Sequence, residues 1–218
     1  MLEVADWPGH DAGQHVDVRV RAADGYTAVR TYSIASAPDG DRLELTIELM
    51  PDGEVSPYLV RIVEPGSPLE VLGPIGGWFV WRPEQSEAVQ LIAGGSGIVP
   101  LMAMIRRREQ VHSRAPFRLI YSVRTPQAVY YADELRGLGS GSDGVAVTYA
   151  YTRTVPPEWP AKPQRVSAAT LAAAFPASQN PTCYVCGPTP FVEVVSGLLT
   201  RAGYDASRIK TERFGPTG

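Results

Sequence analysis

The hydrophobic period of this chain changes once, near residue 82, and that change limits the folds open to it. Before it, apolar positions alternate. In Gln14-His15-Val16-Asp17-Val18-Arg19-Val20-Arg21 the valines fall on one side of an extended strand and the polar residues on the other. Arg42-Leu43-Glu44-Leu45-Thr46-Ile47-Glu48-Leu49 repeats the pattern and predicts a second strand with one wet face. Asp24-Gly25, Pro38-Asp39-Gly40 and Pro51-Asp52-Gly53 mark turns. Short strands at this spacing predict a small antiparallel barrel, closed at one end by a short helix over 56–63.

From about residue 86, short apolar runs alternate with helical stretches. Strands are predicted over 88–93, 117–122, 145–151, 182–186 and 209–213, and helices over 100–108, 132–138, 168–175 and 191–202. Pro100 is acceptable in the first turn of its helix. Parallel strands need crossover connections, so strand–helix alternation reads as a doubly wound parallel sheet. The expected fold class is β + α/β. An N-terminal antiparallel β-barrel domain over 1–82 precedes a doubly wound parallel-sheet domain over 86–218, with Trp81-Arg82-Pro83-Glu84-Gln85 as the junction. With 218 residues, 44% hydrophobic and 20% charged, the chain has apolar material for two cores.

A net charge of -3 and the lack of any basic tract with interleaved aromatics exclude nucleic acid as an expected partner. No stretch approaches the roughly 20 apolar residues that cross a bilayer. Met1-Leu2-Glu3-Val4-Ala5-Asp6 has no signal-peptide pattern, so the expected location is cytoplasmic, without membrane insertion. Cys183 and Cys186 spell C-x-x-C, but on a strand side chains three apart point to opposite faces. His10, His15 and His112 are scattered and complete no ligand set, so no metal site is expected.

Four motifs can carry chemistry. Gly94-Gly95-Ser96-Gly97-Ile98-Val99-Pro100 joins the first α/β strand to its helix. Missing side chains at Gly95 and Gly97 would let a pyrophosphate approach the backbone, and the helix N-terminus offers free N–H groups. The alternative is a tight turn that merely needs glycine, and proline replaces the third glycine of the dinucleotide fingerprint. Ser122 and Arg124, at the end of the second parallel strand, favour a 2′-phosphate over a free ribose and hence NADPH over NADH; the alternative is a solvated loop arginine. Cys186-Gly187-Pro188 ends a later strand, where such sheets bind ligands. Arg30-Thr31-Tyr32-Ser33 puts a cation and a flat ring on one strand face, which suits a phosphate and a heteroaromatic ring.

In this order, with Pro8-Gly9, Gly13-Gln14, Gly53-Glu54-Val55-Ser56, Gly73-Pro74-Ile75-Gly76 and Glu212-Arg213-Phe214, the chain resembles the ferredoxin–NADP reductase superfamily along nearly its whole length. The resemblance implies that the barrel binds FAD and the parallel-sheet domain binds NADPH or NADH. Arg30 would then contact the flavin phosphate, Tyr32 stack on the isoalloxazine and Ser33 hydrogen-bond near N5. Gly53, Val55 and Ser56 would hold the pyrophosphate. Gly95, Gly97 and Pro100 would line the nicotinamide dinucleotide, and Gly187 and Pro188 would let the nicotinamide pass close to the backbone, with Cys186 beside its reacting carbon. Glu212 and Phe214 would lie near the other face of the flavin, completing a catalytic set of Tyr32, Ser33, Cys186, Glu212 and Phe214. The implied activity is hydride transfer from NAD(P)H to FAD, with electrons passed to a separate acceptor such as an iron–sulfur protein. A diffusible flavin or ferric reductase and a flavin-free binding subunit are the alternatives.

The sequence departs from the family pattern in three places. Seven residues precede Pro8, which predicts a barrel lacking its first strands and an exposed edge through which chains could associate. Gly76-Gly77-Trp78-Phe79 carries one residue more than the usual ending. The C-x4-C-x2-C spacing is absent, so no iron–sulfur centre is expected.

Overall fold

The computed structural model describes residues 1–21, 25–138 and 144–215; Asp24 of the predicted Asp24-Gly25 turn lies outside them. In the N-terminal half, β1 (Leu2–Glu3), β2 (His15–Arg21), β3 (Thr27–Ser33) and β4 (Arg42–Leu43) precede α1 (Val55–Arg61) and β5 (Glu70–Ile75). β2 is the centre of an antiparallel sheet in the order β3-β2-β5, and β1 pairs with β4. Among the described residues these sheets do not close into a full barrel. Period-2 alternation did what was expected of it in β2, where Val16 and Val18 are fully buried against Ile34 and Leu43.

The strand expected over 42–49 is a correction. Ladder pairing stops at Leu43, apart from an isolated bridge between Ile34 and Leu45. The alternation persists, but its polar face is partly covered by protein, with Glu48 still exposed. Glu44 pairs with Arg106, the Thr46 hydroxyl hydrogen-bonds that of Tyr131, and Glu48 lines a cleft of the other half. Side-chain contacts with the second half take the place of a neighbouring strand.

In that half, β6 (Val89–Gly94), α2 (Ile98–Gln110), β7 (Phe117–Val123), α3 (Ala132–Leu138), β8 (Ala146–Tyr151), α4 (Ala168–Ala174), β9 (Thr182–Pro188), α5 (Thr189–Arg201) and β10 (Ile209–Phe214) follow the expected alternation. The five strands are all parallel, in the order β10-β9-β6-β7-β8. The chain winds outward from β6 through β7 to β8, then returns to the other side for β9 and β10. The order therefore reverses between β6 and β9, where open α/β sheets bind ligands outside the strand carboxyl ends. Each sheet face has its own core: Leu91, Ala93, Tyr184 and Cys186 pack on one side, Ile92, Ile120, Cys183 and Val185 on the other. The two cysteines are free and point into opposite cores, as the strand reading required. Burial pushes both thiols up, Cys183 to about 12 and Cys186 well above the ordinary range.

Candidate functional site

At the switch point β6 runs into a single tight turn, Gly95–Gly97, and then α2. The glycines here have different reasons to be glycine. Gly95 has φ +56° and an added Cβ would meet nothing, so its bare face opens on the cleft. A Cβ on Gly97 would stand 2.3 Å from the Cys186 carbonyl oxygen, and one on Gly94 or Gly187 would strike the Phe191 ring at 2.6 or 2.7 Å. Gly97 thus lets the turn lie against β9, and Gly94 and Gly187 make room for Phe191. Pro100 and Cys186 are buried beneath this floor.

Two clefts open above it. One, of about 540 Å³, is lined by Gly95, Ser122, Arg124, Pro188 and Phe214, with Glu48 entering from the N-terminal half. The other, of about 440 Å³, shares Ser122, Arg124, Pro188 and Phe191 and adds Arg153 and Arg165. The chain after β8 is tied to the chain after β7, since Arg153 N–H and Thr154 N–H both donate to Arg124 O, at 2.9 and 3.1 Å. Arg124, Arg153 and Arg165 are exposed, and none is paired with a carboxylate among the described residues. Three uncompensated guanidiniums beside two hydroxyl residues, Ser122 and Thr152, make an anion site suited to a phosphate dianion.

On the N-terminal side Arg30 is exposed, donates to Val29 O at 2.8 Å and pairs with Glu54 at 3.3 Å. Tyr32 is half-buried, and burial raises its phenol pKa against the lowering effect of Arg30. Ser56 Oγ accepts from Met50 N–H at 3.0 Å, so the hydroxyl closes the Met50–Gly53 turn, whose Gly53 N–H donates to Met50 O at 2.9 Å. Val55 and Ser56 open α1 with no side-chain cap, which leaves their backbone N–H groups at its first turn. Arg30, Tyr32, Ser33, Gly53, Val55 and Ser56 do not line the two clefts.

The halves meet again at His15 and Glu212. His15 Nδ1 lies 3.6 Å from Glu212 Oε1, and Glu212 stands beside Cys186 in the parallel register. The Glu212 carboxylate lifts the His15 pKa against the opposing effect of burial. The other carboxylate oxygen, Glu212 Oε2, is buried without a partner.

Sequence reading missed Arg153, Arg165, His15 and Phe191. The rule that selected Arg124, a cation just past a parallel strand's carboxyl end, applies equally to Arg153 after β8. Arg165 sits in a loop without any local signal. His15 looked like one more polar position of an alternating strand.

A β-rich half presenting a cation and an aromatic is followed by a five-stranded parallel sheet whose switch point carries an arginine-lined cleft, a layout able to hold a dinucleotide. Residues 7–80 match the oxidoreductase FAD-binding domain and residues 91–197 the oxidoreductase NAD-binding domain. The chain is 31% identical over 212 residues to ferredoxin–NADP reductase B of Sorangium cellulosum, covering 94% of this chain and 85% of that one. It is 31% identical over 207 residues to the glycine betaine monooxygenase reductase subunit of Pseudomonas aeruginosa, covering 94% of this chain but only 56% of that protein. Its fold superposes with a TM-score of 0.85 on the FAD/NAD-binding domain of nitric oxide dioxygenase from Vibrio cholerae, at 24% identity over 98% of this chain and 88% of the other. The chain belongs to the ferredoxin–NADP reductase superfamily of FAD- and nicotinamide-binding oxidoreductases.

Proposed function

We propose that this chain is a reductase that accepts a hydride from NADPH on FAD and passes the electrons to a separate acceptor protein, an iron–sulfur protein being the leading candidate. The residues fit both groups. Gly95 leaves open space at the turn beneath the larger cleft, Glu212 Oε2 is a buried acceptor lacking a donor, and three arginines lack counter-charges. Bound FAD would supply the chemistry that turns one hydride into two single electrons. Arg30 and the backbone at Gly53, Val55 and Ser56 would hold its phosphates, and Tyr32 and Ser33 its ring. Gly95, Ser122, Arg124, Pro188 and Phe214 would line the nicotinamide dinucleotide, over a floor of Gly97, Pro100, Cys186 and Gly187.

The observation that carries the NADPH preference is the unneutralised set Arg124, Arg153 and Arg165 around the second cleft, which shares Ser122, Arg124 and Pro188 with the cleft at Gly95. NADH has no 2′-phosphate to place there. The reductase names of the Sorangium and Pseudomonas relatives support a protein acceptor. We divide the function at the junction, flavin to 1–82 and nicotinamide to 86–218. A cytoplasmic location belongs to the same reading, and among the described residues no helix is long and apolar enough to cross a membrane. The outer edges of β3 and β5 are unpaired in their sheet and are where a second chain would add a strand.

Titration with 2′,5′-ADP and 5′-AMP, followed by stopped-flow reduction with NADPH and NADH, tests the assignment. Arg124→Ala and Arg153→Ala should each weaken 2′,5′-ADP about five- to tenfold, on the order of 1 kcal/mol for an exposed charge-assisted contact. Affinity for 5′-AMP and the rate with NADH should barely change. Equal losses for both ligands would show that these arginines do not read the 2′-phosphate.

A further inference from the structure

A third cavity, of about 240 Å³, opens at the opposite rim of the parallel sheet, where β7 begins. Open α/β sheets bind their ligands outside the strand carboxyl ends, so the ordinary site of the fold does not account for it. From Arg118 to Arg124 the chain covers about 20 Å at about 3.3 Å per strand residue, which keeps this cavity apart from the two clefts. Arg108, Arg114 and Arg118 line it, together with Phe117 and Phe175. The chain carries a net charge of -3, so three guanidiniums around one small cavity are not a sample of a generally basic surface.

Each arginine arrives from a different segment. Arg108 lies in the last turn of α2, where a cation faces the negative end of the helix dipole. It is 6% exposed, donates from Nε to Ala115 O at 2.8 Å and lies over the Phe117 ring at 5.4 Å. Ser113 N–H donates back to Arg108 O at 3.0 Å, so the loop after α2 is folded onto this residue. That loop presents Arg114, which is exposed. Arg118 is the one exposed residue of β7, and its guanidinium lies over the Phe175 ring, just past α4, at 5.4 Å. The surrounding structure accounts for Arg108. Arg114 and Arg118 form no ion pair among the described residues.

We propose that this cavity is a second anion site, which takes a small phosphoryl ligand of about pyrophosphate size independently of the nicotinamide dinucleotide. Guanidiniums meet phosphate oxygens with paired N–H donors. Phe175 covers one face of the Arg118 guanidinium, so the N–H edge is left to donate, and the stacking holds that fork in place before a ligand arrives. Arg108 adds a buried positive charge, which little water screens. The volume falls below the roughly 300–1,000 Å³ of pockets for larger organic ligands, which suits phosphoryl groups without a nucleoside. Such a ligand would tie together the loop after α2, the start of β7 and the end of α4, so its binding should also appear as stability.

The test is calorimetric titration of the full chain with sodium pyrophosphate, at constant ionic strength and with 2′,5′-ADP saturating the arginine-lined clefts. Saturable binding is expected, with a melting point that rises with pyrophosphate. Arg114→Gln and Arg118→Gln should each weaken it about five- to tenfold, the scale of an exposed charge-assisted contact, and leave the affinity for 2′,5′-ADP unchanged. Both positions are exposed, so both variants should fold. A chain carrying Arg124→Ala and Arg153→Ala together should bind pyrophosphate in this cavity as wild type does. Absence of saturable binding under 2′,5′-ADP would overturn the inference, as would wild-type affinity in both Arg114→Gln and Arg118→Gln. Equal affinity for malonate, a small dicarboxylate, would overturn the phosphoryl assignment.

Discussion

Arg106, on α2, is one joint between the two halves, and its removal should be costly. Its guanidinium forks onto Glu134, with Nε and Nη2 each 2.7 Å from a carboxylate oxygen. Nη1 reaches across to the N-terminal half, 3.0 Å from Glu44 Oε1 and 2.9 Å from Ala35 O. The same group lies over the Tyr131 ring at 5.1 Å. Hydrogen bonding to Glu134 raises its pKa further, so it is charged at any working pH. Arg106→Met keeps the stem's packing but strands two carboxylates and a carbonyl. Removing one member of a buried pair costs about 3–5 kcal/mol. Here Glu44 and Glu134 are 30% and 34% exposed and can rehydrate in part, which lowers the expectation to about 2–3 kcal/mol. For a chain of this size that is a melting point about 4–12 °C lower.

A second substitution separates the contacts. Adding Glu44→Gln to Arg106→Met should recover stability, because it removes a carboxylate that has lost its cation. Arg106→Lys should fall between wild type and Arg106→Met, since a point charge cannot make the fork. Urea melts of the four proteins supply the free energies. An Arg106→Met variant within about 0.5 kcal/mol of wild type would refute the reasoning, placing this network with surface pairs of negligible worth.

The remaining expectations are briefer. Gly97→Ala should destabilise by more than 2 kcal/mol, roughly the scale of overpacking against backbone, whereas Gly95→Ala should cost only about 1 kcal/mol for its positive φ; thermal melts that rank them the other way would contradict the assignment of the two glycines. Cys183 and Cys186, buried with raised pKa values, should resist a thiol reagent at about pH 8 in the native state and react on unfolding, and rapid native labelling would contradict it. The raised His15 pKa makes its pair with Glu212 stabilising below about pH 6.5, an effect lost as pH rises through the folded-state value. The melting-point gap between wild type and Glu212→Gln should therefore narrow from about pH 5.5 to pH 8.5, and a gap that widens would reverse the assignment.

What could be read from the sequence was whatever a short window encodes. The valines of β2 and the apolar runs of the parallel strands declare their period within six or seven residues, and the topology follows from the need to cross over between parallel strands. The opposite faces of Cys183 and Cys186 follow from the same period. Ser122 and Arg124 are selected by a general rule that ties strand carboxyl ends to ligands; both line the two clefts, and Arg153 satisfies that rule too. Polar alternation over 44–48 shows one face, and the partners of Glu44 and Thr46 on it are invisible in sequence, because an exposed glutamate and one paired with Arg106 look alike there. The glycine turn shows the same limit. Gly95 and Gly97 read as one phosphate cradle, yet only Gly95 faces open space, while Gly97 answers to a carbonyl on β9 nearly ninety positions away. His15 and Arg165 matter only through partners that folding brings from distant segments, and no local pattern marks them. His15 meets Glu212 across the two halves, whereas Arg165 meets Arg124 and Arg153 around a cleft within the second half, so long-range encounters hide residues in both places.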